Sequence, residues 1–244
     1  MYDRAYYAAR YRYRPTTPYY WSTRYYARLL QRHLRPAAGT RPRVLEVGCG
    51  VGHVAHHLSR ACSIYGLDIS TVALREARRV APAAHLVQAS AERLPFAAAS
   101  FDGALARHVL EHLSEPQPAI AELRRVLRPD ASLIAAMPNL RSVTRPLKGA
   151  RWIGWRDPTH VSLLTPAQWQ QLFERSGFVV VRCWSDGLWD VPYLPFVPAL
   201  LQLPLFALPA ALQVLTTGSF LPVPLGESVI FLLRAGRASP AGGT

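Results

Sequence analysis

Lysine is nearly missing from this chain of 244 residues: of 28 cationic residues, 27 are arginine and one, Lys148, is lysine. Such a bias, with its abundant alanine and proline, is what a skewed genomic composition would also produce, so the formal charge of +13 favours anionic partners without identifying any. Cysteine is scarce too. The three present, Cys49, Cys62 and Cys183, show neither metal-ligand spacing nor a disulfide framework, which argues against a small disulfide-stapled domain and suits a reducing cytosol. The first 30 residues hold no apolar run, so no secretory signal is apparent. The expected location is the cytoplasm. No internal repeat is visible. Charge is absent from residues 191–226, a span broken by seven prolines. With half of its residues hydrophobic, the chain is long enough to bury a full α/β core.

What is present begins with Val44 to Ala55, VLEVGCGVGHVA, which has the form of a buried strand, a glycine turn and the start of a helix. Gly48, Gly50 and Gly52 remove side chains where a ligand approaches the backbone, and the helix that follows directs free N–H groups at it. A dinucleotide fingerprint needs a third glycine at position 53, where this chain has His53. An acid is nevertheless in place: Asp68 closes a second apolar strand, where its carboxylate can accept both ribose hydroxyls.

E-V-G-C-G-V-G and G-L-D together resemble the first two motifs of the class I S-adenosylmethionine-dependent methyltransferases. Other segments resemble later ones: QASAERLPF (88–96), SFDGALARHVLEHL (100–113), AELRRVLRPDASLIAAMPN (121–139), TPAQWQQLFERSGFVV (165–180) and the stretch 228–234. RPD at 128–130 stands where the family usually has KPG, and Ser90 where it often has Asp. The resemblance implies a Rossmann-like, mostly parallel seven-stranded sheet with helices on both faces and a final antiparallel strand. It also implies S-adenosylmethionine as cofactor, held by Glu46, Gly48, Cys49, Gly50, Gly52, Asp68, Ile69, Ala91, Glu92 and Arg107. Asp68 would bind ribose, and Ala91 with Glu92 would contact adenine. The N-P-P-Y type of acceptor motif is missing after the fourth strand, where ARHV stands. No specific nucleic acid is therefore expected.

Alternating periodicity gives strands near 42–48, 63–68, 84–88, 101–106, 131–137 and 228–235, with helices from 51 and near 70–80, 116–127 and 165 onward. The expected organisation is an arm and lid helix (1–40, helical over about 19–34), a core (41–185 with 227–235), an apolar Pro-rich insertion (186–226) and a disordered tail (236–244). Nine of eleven tyrosines fall in residues 1–26, interleaved with arginine; this reads as a lid, or as a surface for single strands or sugar phosphates.

Four histidines fall near the mouth of such a site: His53, His108, His112 and His160. Histidine is suited to deprotonating an acceptor at neutral pH, and His160 is the first candidate base, then His108. Glu111 beside His112 is an insufficient pair for a metal site, so none is expected. His112, Arg151, Arg156 and Asp157 are placed on the substrate side. The cationic run Arg141, Arg145, Lys148, Arg151 and Arg156 reads either as a solvated loop or as facing an anionic acceptor. Residues 191–226 read as short helices that cap a greasy pocket, touch the inner face of a membrane, or form a homodimer contact.

The function these readings give is O-methylation of a small or lipid-linked acceptor. The alternatives are a nicotinamide-dependent oxidoreductase and a noncatalytic methyltransferase-like binding module.

Overall fold

The computed structural model describes Arg14 and residues 17–36, 38–187, 191–194 and 196–236. Most of the Tyr/Arg-rich arm and the tail from residue 237 lie outside the described residues. Seven strands, β1 (Arg43–Val47), β2 (Ser63–Asp68), β3 (His85–Gln88), β4 (Phe101–Arg107), β5 (Leu127–Pro138), β6 (Phe178–Ser185) and β7 (Ser228–Ala235), form one sheet in the order β3-β2-β1-β4-β5-β7-β6. Neighbours from β3 to β5 are parallel, and β7 runs antiparallel to both β5 and β6. This is the Rossmann-like sheet that the alternating βα pattern and the resemblance imply.

Helices α1 (Pro18–His33), α2 (His53–Leu58), α3 (Thr71–Val80), α4 (Pro116–Val126), α5 (Pro166–Arg175) and α6 (Ala199–Thr216) accompany it, with short helical turns at Thr144–Lys148 and Ile153–Arg156. The central strands are apolar runs because both their faces are covered. On one face Ala119, Ile120 and Leu123 of α4 and Trp169 and Phe173 of α5 pack on Leu133, Ala135 and Phe231. On the other, Tyr25, Tyr26, Leu29 and Leu30 of α1 and Val54, Ala55 and Leu58 of α2 pack on Val44, Leu105, Ile134 and Ile230. Helix α5 starts at Pro166 behind a capping box formed by Thr165 and Gln168.

The helix expected as a lid thus has a second role. Its buried positions recur at helical spacing, which places one stripe of α1 in the core. The buried Tyr25 hydroxyl accepts from Trp184 Nε1 at 3.0 Å and donates to the Gly218 carbonyl at 3.0 Å. Arg28 and Arg32 donate to the Val214 and Thr216 carbonyls at 3.3 and 3.2 Å, placing cations at the C-terminus of α6, where the helix dipole is negative.

In the apolar insertion, where short helices are expected, the described residues form one α-helix, bent by 41° between Ala199–Phe206 and Leu208–Thr216, and a short 3-10 turn at Val223–Leu225. Pro209 lacks an N–H and its ring crowds the carbonyl of Leu205, which bends a helix without ending it. Among the described residues no single helix is long and apolar enough to cross a membrane. Gln202, Ala210, Gln213 and Val214 of α6 are buried, whereas Leu201, Leu205, Leu208, Leu212 and Leu215 are exposed. Their spacing of four and three residues puts these five leucines on one outward stripe.

Candidate active site

The chain runs from β1 outward through β2 and β3, then returns to β4 on the other side of β1. In open α/β sheets a ligand crevice forms at such a reversal, beyond the carboxyl ends of the strands. The crevice here has a volume of about 210 Å³ and is lined by Val47, Gly48 and Gly50 after β1, Leu67, Asp68 and Ile69 after β2, Ala89, Ser90 and Ala91 after β3, and His108, Val109, His112 and Leu113 after β4.

The glycine turn forms its floor. Gly48 takes φ +68°, and a Cβ there would stand 2.1 Å from Val109 Cγ2, so a side chain would both strain the turn and close the crevice. Gly52, at φ +83°, has a packing task instead: a Cβ there would come 3.0 Å from that of Ala77, on α3. Cys49 contributes backbone to the turn. Its N–H donates to the Leu67 carbonyl at 2.9 Å, while its buried thiol, pushed up in pKa by burial, is turned toward Gly66.

Asp68 ties the turn to β2: Oδ2 accepts the Gly50 N–H at 2.8 Å and Oδ1 the Ser70 N–H at 2.9 Å. A carboxylate has about four acceptor positions, so these two bonds leave room for a pair of ribose hydroxyls. Burial raises the Asp68 pKa against the opposing backbone donors. Ile69 is exposed at the rim, and Ala91 is buried in the wall. Glu92 stays outside. Its N–H donates to Ser90 Oγ at 3.2 Å and its Oε2 accepts from the same hydroxyl at 3.3 Å, so Ser90, which is part of the wall, holds one of its two oxygens.

Behind the turn, Glu46 is buried, and burial pushes its carboxyl up to about 8 despite Arg107 and the Ala55 N–H. Its Oε2 has no hydrogen-bond partner, nor does Nε of Arg107. Arg107 lies over the rings of Tyr19 and Tyr26 at 5.4 and 4.8 Å and donates to Ser22 Oγ at 3.1 Å. Buried polar atoms without partners, Glu46 Oε2 and Arg107 Nε, are costly unless a ligand completes them. Together they suit the ammonium and carboxylate of an amino-acid group, as the glycine turn and Asp68 suit a nucleoside.

Beyond the end of β4, in the crevice wall, His108 adopts φ +52°, rare for a residue other than glycine. Its Nδ1 is 3.0 Å from Glu111 Oε1 and its Nε2 is 3.4 Å from Ser228 Oγ. His112 also lines the crevice, with Nδ1 2.9 Å from Thr159 Oγ1. His160 lies behind them: Nδ1 faces the Gly154 carbonyl at 2.8 Å, Nε2 is 3.9 Å from Glu111 Oε1, and burial lowers its pKa. Asp157 fixes the approach to it, accepting the N–H and hydroxyl of Thr159 at 3.0 and 2.6 Å.

The cationic run divides. Arg141, Arg151 and Arg156 are exposed, and Arg145 lies over the Trp155 ring at 5.8 Å. Lys148 turns inward to Glu227 Oε1 at 3.0 Å and over the Tyr193 ring at 4.4 Å; an acid far along the chain neutralises it.

Sequence reasoning also missed Asp186. This buried acid, raised to about 6 by burial, accepts the Ser228 N–H at 3.0 Å and the Tyr26 hydroxyl at 3.5 Å. The only available signal was its place as the final residue of W-S-D at the end of β6.

A family model described as a methyltransferase domain matches residues 17–182. The chain belongs to this methyltransferase family. S-adenosylmethionine is the cofactor that the family and fold imply, and the partnerless Glu46 Oε2 and Arg107 Nε, the glycine turn and Asp68 fit its amino-acid and nucleoside parts.

The chain is 38% identical over 110 residues to malonyl-[acyl-carrier protein] O-methyltransferase of Enterobacter lignolyticus (strain SCF1), covering 42% of this chain and 44% of that protein. It is 30% identical over 166 residues to an O-methyltransferase of Pyrenophora dematioidea, covering 62% and 58%. It spans about half the length of these curated relatives. The crystal structure of an S-adenosylmethionine-dependent methyltransferase from Archaeoglobus fulgidus matches with a TM-score of 0.60 at 17% identity, covering 87% of this chain and 93% of the other. That likeness shows the fold.

Proposed function

We propose that this methyltransferase transfers a methyl group to an oxygen of a small or lipid-linked acceptor, with His108 as the proton acceptor. The observation that carries this reading is the position of His108, in the crevice wall and braced by Glu111. Because a carboxylate only accepts, Nδ1 carries the proton in this pair and Nε2 presents its lone pair.

When bound, S-adenosylmethionine would supply the activated methyl group on its cationic sulfur to the acceptor oxygen and be left as a neutral thioether. The hydroxyl proton passes to His108 Nε2. Glu111 stabilises the imidazolium that results. Glu46 and Arg107 hold the amino-acid end and Asp68 the ribose, so that the methyl and the acceptor are positioned for an in-line displacement.

The lipid-linked form of the acceptor is favoured by the leucine stripe of α6, flanked by exposed Phe196 and Phe220, together with the exposed Arg141, Arg151 and Arg156. Exposed apolar groups and exposed cations on one chain suit the surface of an anionic membrane, and the reading puts the protein on its cytoplasmic face. Burial of the stripe in a homodimer is the other occupant.

The deciding experiment is calorimetric titration with S-adenosylhomocysteine, with NADH for comparison and Asp68→Ala as control, followed by labelling of lipid and small-molecule extracts with methyl-labelled S-adenosylmethionine. Micromolar binding lost in the variant, with label entering a base-stable ether or a base-labile ester, supports O-methylation. Preference for NADH overturns the cofactor, and cofactor binding with no labelled product supports a binding module.

A further inference from the structure

Glu111, His112 and His160 each bring one ligand atom to within 4.8 Å of the others. Two are neighbours in sequence. The third arrives because the Val161 and Ser162 N–H groups both donate to the Glu111 carbonyl at 2.9 Å, pinning the 157–162 loop beneath the end of β4.

The hydrogen bonds around the cluster set its proton positions. The Gly154 carbonyl can only accept, so His160 Nδ1 carries the hydrogen and Nε2 is a bare lone pair. The Thr159 hydroxyl gives its hydrogen to Asp157, so it accepts from His112 Nδ1, and the lone pair of His112 also lies on Nε2. Such outer bonds fix the tautomer and orientation of histidines that ligate metals. Glu111 is fully buried; Oε1 serves His108, and Oε2 has no hydrogen-bond partner. The His160 lone pair therefore stands 3.9 Å from a carboxylate oxygen, an arrangement of acceptors with no donor between them. Only a cation or a proton makes it favourable.

We propose that Glu111, His112 and His160 bind a divalent first-row transition ion, of which zinc is the type, at the acceptor end of the crevice. Two imidazoles and one carboxylate select such an ion over magnesium or calcium, which take oxygen ligands. Zinc bonds of about 2.0–2.2 Å require the three ligand atoms to close in by about 1 Å, within the reach of side-chain rotation. Glu111 then serves two partners, holding the His108 N–H with Oε1 and the ion with Oε2. Because His112 lines the crevice, the ion borders the acceptor rather than the cofactor.

The test is equilibrium titration of the whole chain, stripped with chelator, with Co²⁺ followed by its visible ligand-field bands and then with Zn²⁺ in competition. One equivalent of Co²⁺, displaced by one equivalent of Zn²⁺, is expected. The affinity should fall at least tenfold in His160→Gln and in Glu111→Gln, and stay unchanged in His85→Ala, an exposed histidine on the sheet edge. Zn²⁺ should raise the melting temperature of the wild type but not of His160→Gln. Wild-type protein that binds S-adenosylhomocysteine yet takes up no stoichiometric Co²⁺ or Zn²⁺ overturns the proposal, as does uptake that both His160→Gln and Glu111→Gln leave intact.

Discussion

Nδ1 of His108 stands 3.0 Å from Oε1 of Glu111, a side chain with no exposure of its own. The buried carboxylate is thereby held to an imidazole that lines the cofactor crevice. Burial acts to raise the Glu111 pKa, but the hydrogen bond from His108 and the neighbouring imidazoles outweigh it, and the net direction is down. An ionised orienting group behind a histidine is the arrangement that makes the outward nitrogen a base.

From this relationship, His108→Gln should lower the turnover of an O-methylation by about 100-fold or more, the size expected for loss of a general base. Affinity for S-adenosylhomocysteine should change little. His160→Ala should have the smaller effect on turnover, since its ring lies behind Glu111. Equal losses in the two variants would return His160 to the first place that its position in the sequence suggested.

Asp68→Ala removes the acceptor for the Gly50 and Ser70 N–H groups as well as the predicted ribose contacts. Each hydrogen bond to a charged group contributes about 1.5–3 kcal/mol, so calorimetry should show S-adenosylhomocysteine binding weakened by at least tenfold. An affinity that survives would place the nucleoside elsewhere.

Gly48→Ala should abolish cofactor binding, because the new methyl meets Val109 and the backbone remains at a positive φ. Adding Val109→Ala relieves the first problem and not the second. The double variant should therefore recover part of the affinity, whereas full recovery would mean that the turn carries no strain.

The raised pKa of Glu46 sets a pH dependence of stability. Its carboxyl titrates at about 8 in the folded chain against 4.5 as its ordinary value, so the folded state binds the proton more tightly. The resulting stabilisation is fully present below about 4.5 and is lost as pH rises through about 8. Across that window the melting temperature of the cofactor-free wild type should fall relative to Glu46→Gln. Parallel melting curves for the two proteins would show that Glu46 is ionised and already paired.

The leucine stripe makes a separate prediction. Flotation with anionic vesicles should recover the wild type, and Leu205→Ser with Leu212→Ser should reduce that recovery without lowering cofactor affinity. A stable dimer in the absence of lipid, broken by the same pair, would assign the stripe to a second copy instead.

The sequence was most legible where the physics is local. Glycines after an apolar strand define the turn at 48–52, and the periodicity of residues 71–80 or 101–107 marks helix and strand to within a residue or two. Even RPD could be read: Asp130 takes φ +61°, a conformation glycine adopts freely and Asp tolerates. What could not be read depends on partners far along the chain. Lys148 counted as one of five free cations until β7 brought Glu227 to it. The nearness of His160 to Glu111 rests on two backbone hydrogen bonds from the 157–162 loop, and no spacing rule reports those.

Lys148 also gives the chain a built-in gauge of its own opening. It is the single lysine, and its amine is enclosed by Glu227 and Tyr193. An amine-directed reagent can thus reach this side chain only when residues 144–156 swing away from β7. Its rate of acylation, read on one peptide by mass spectrometry, times the breathing of that segment, with no need to introduce a label.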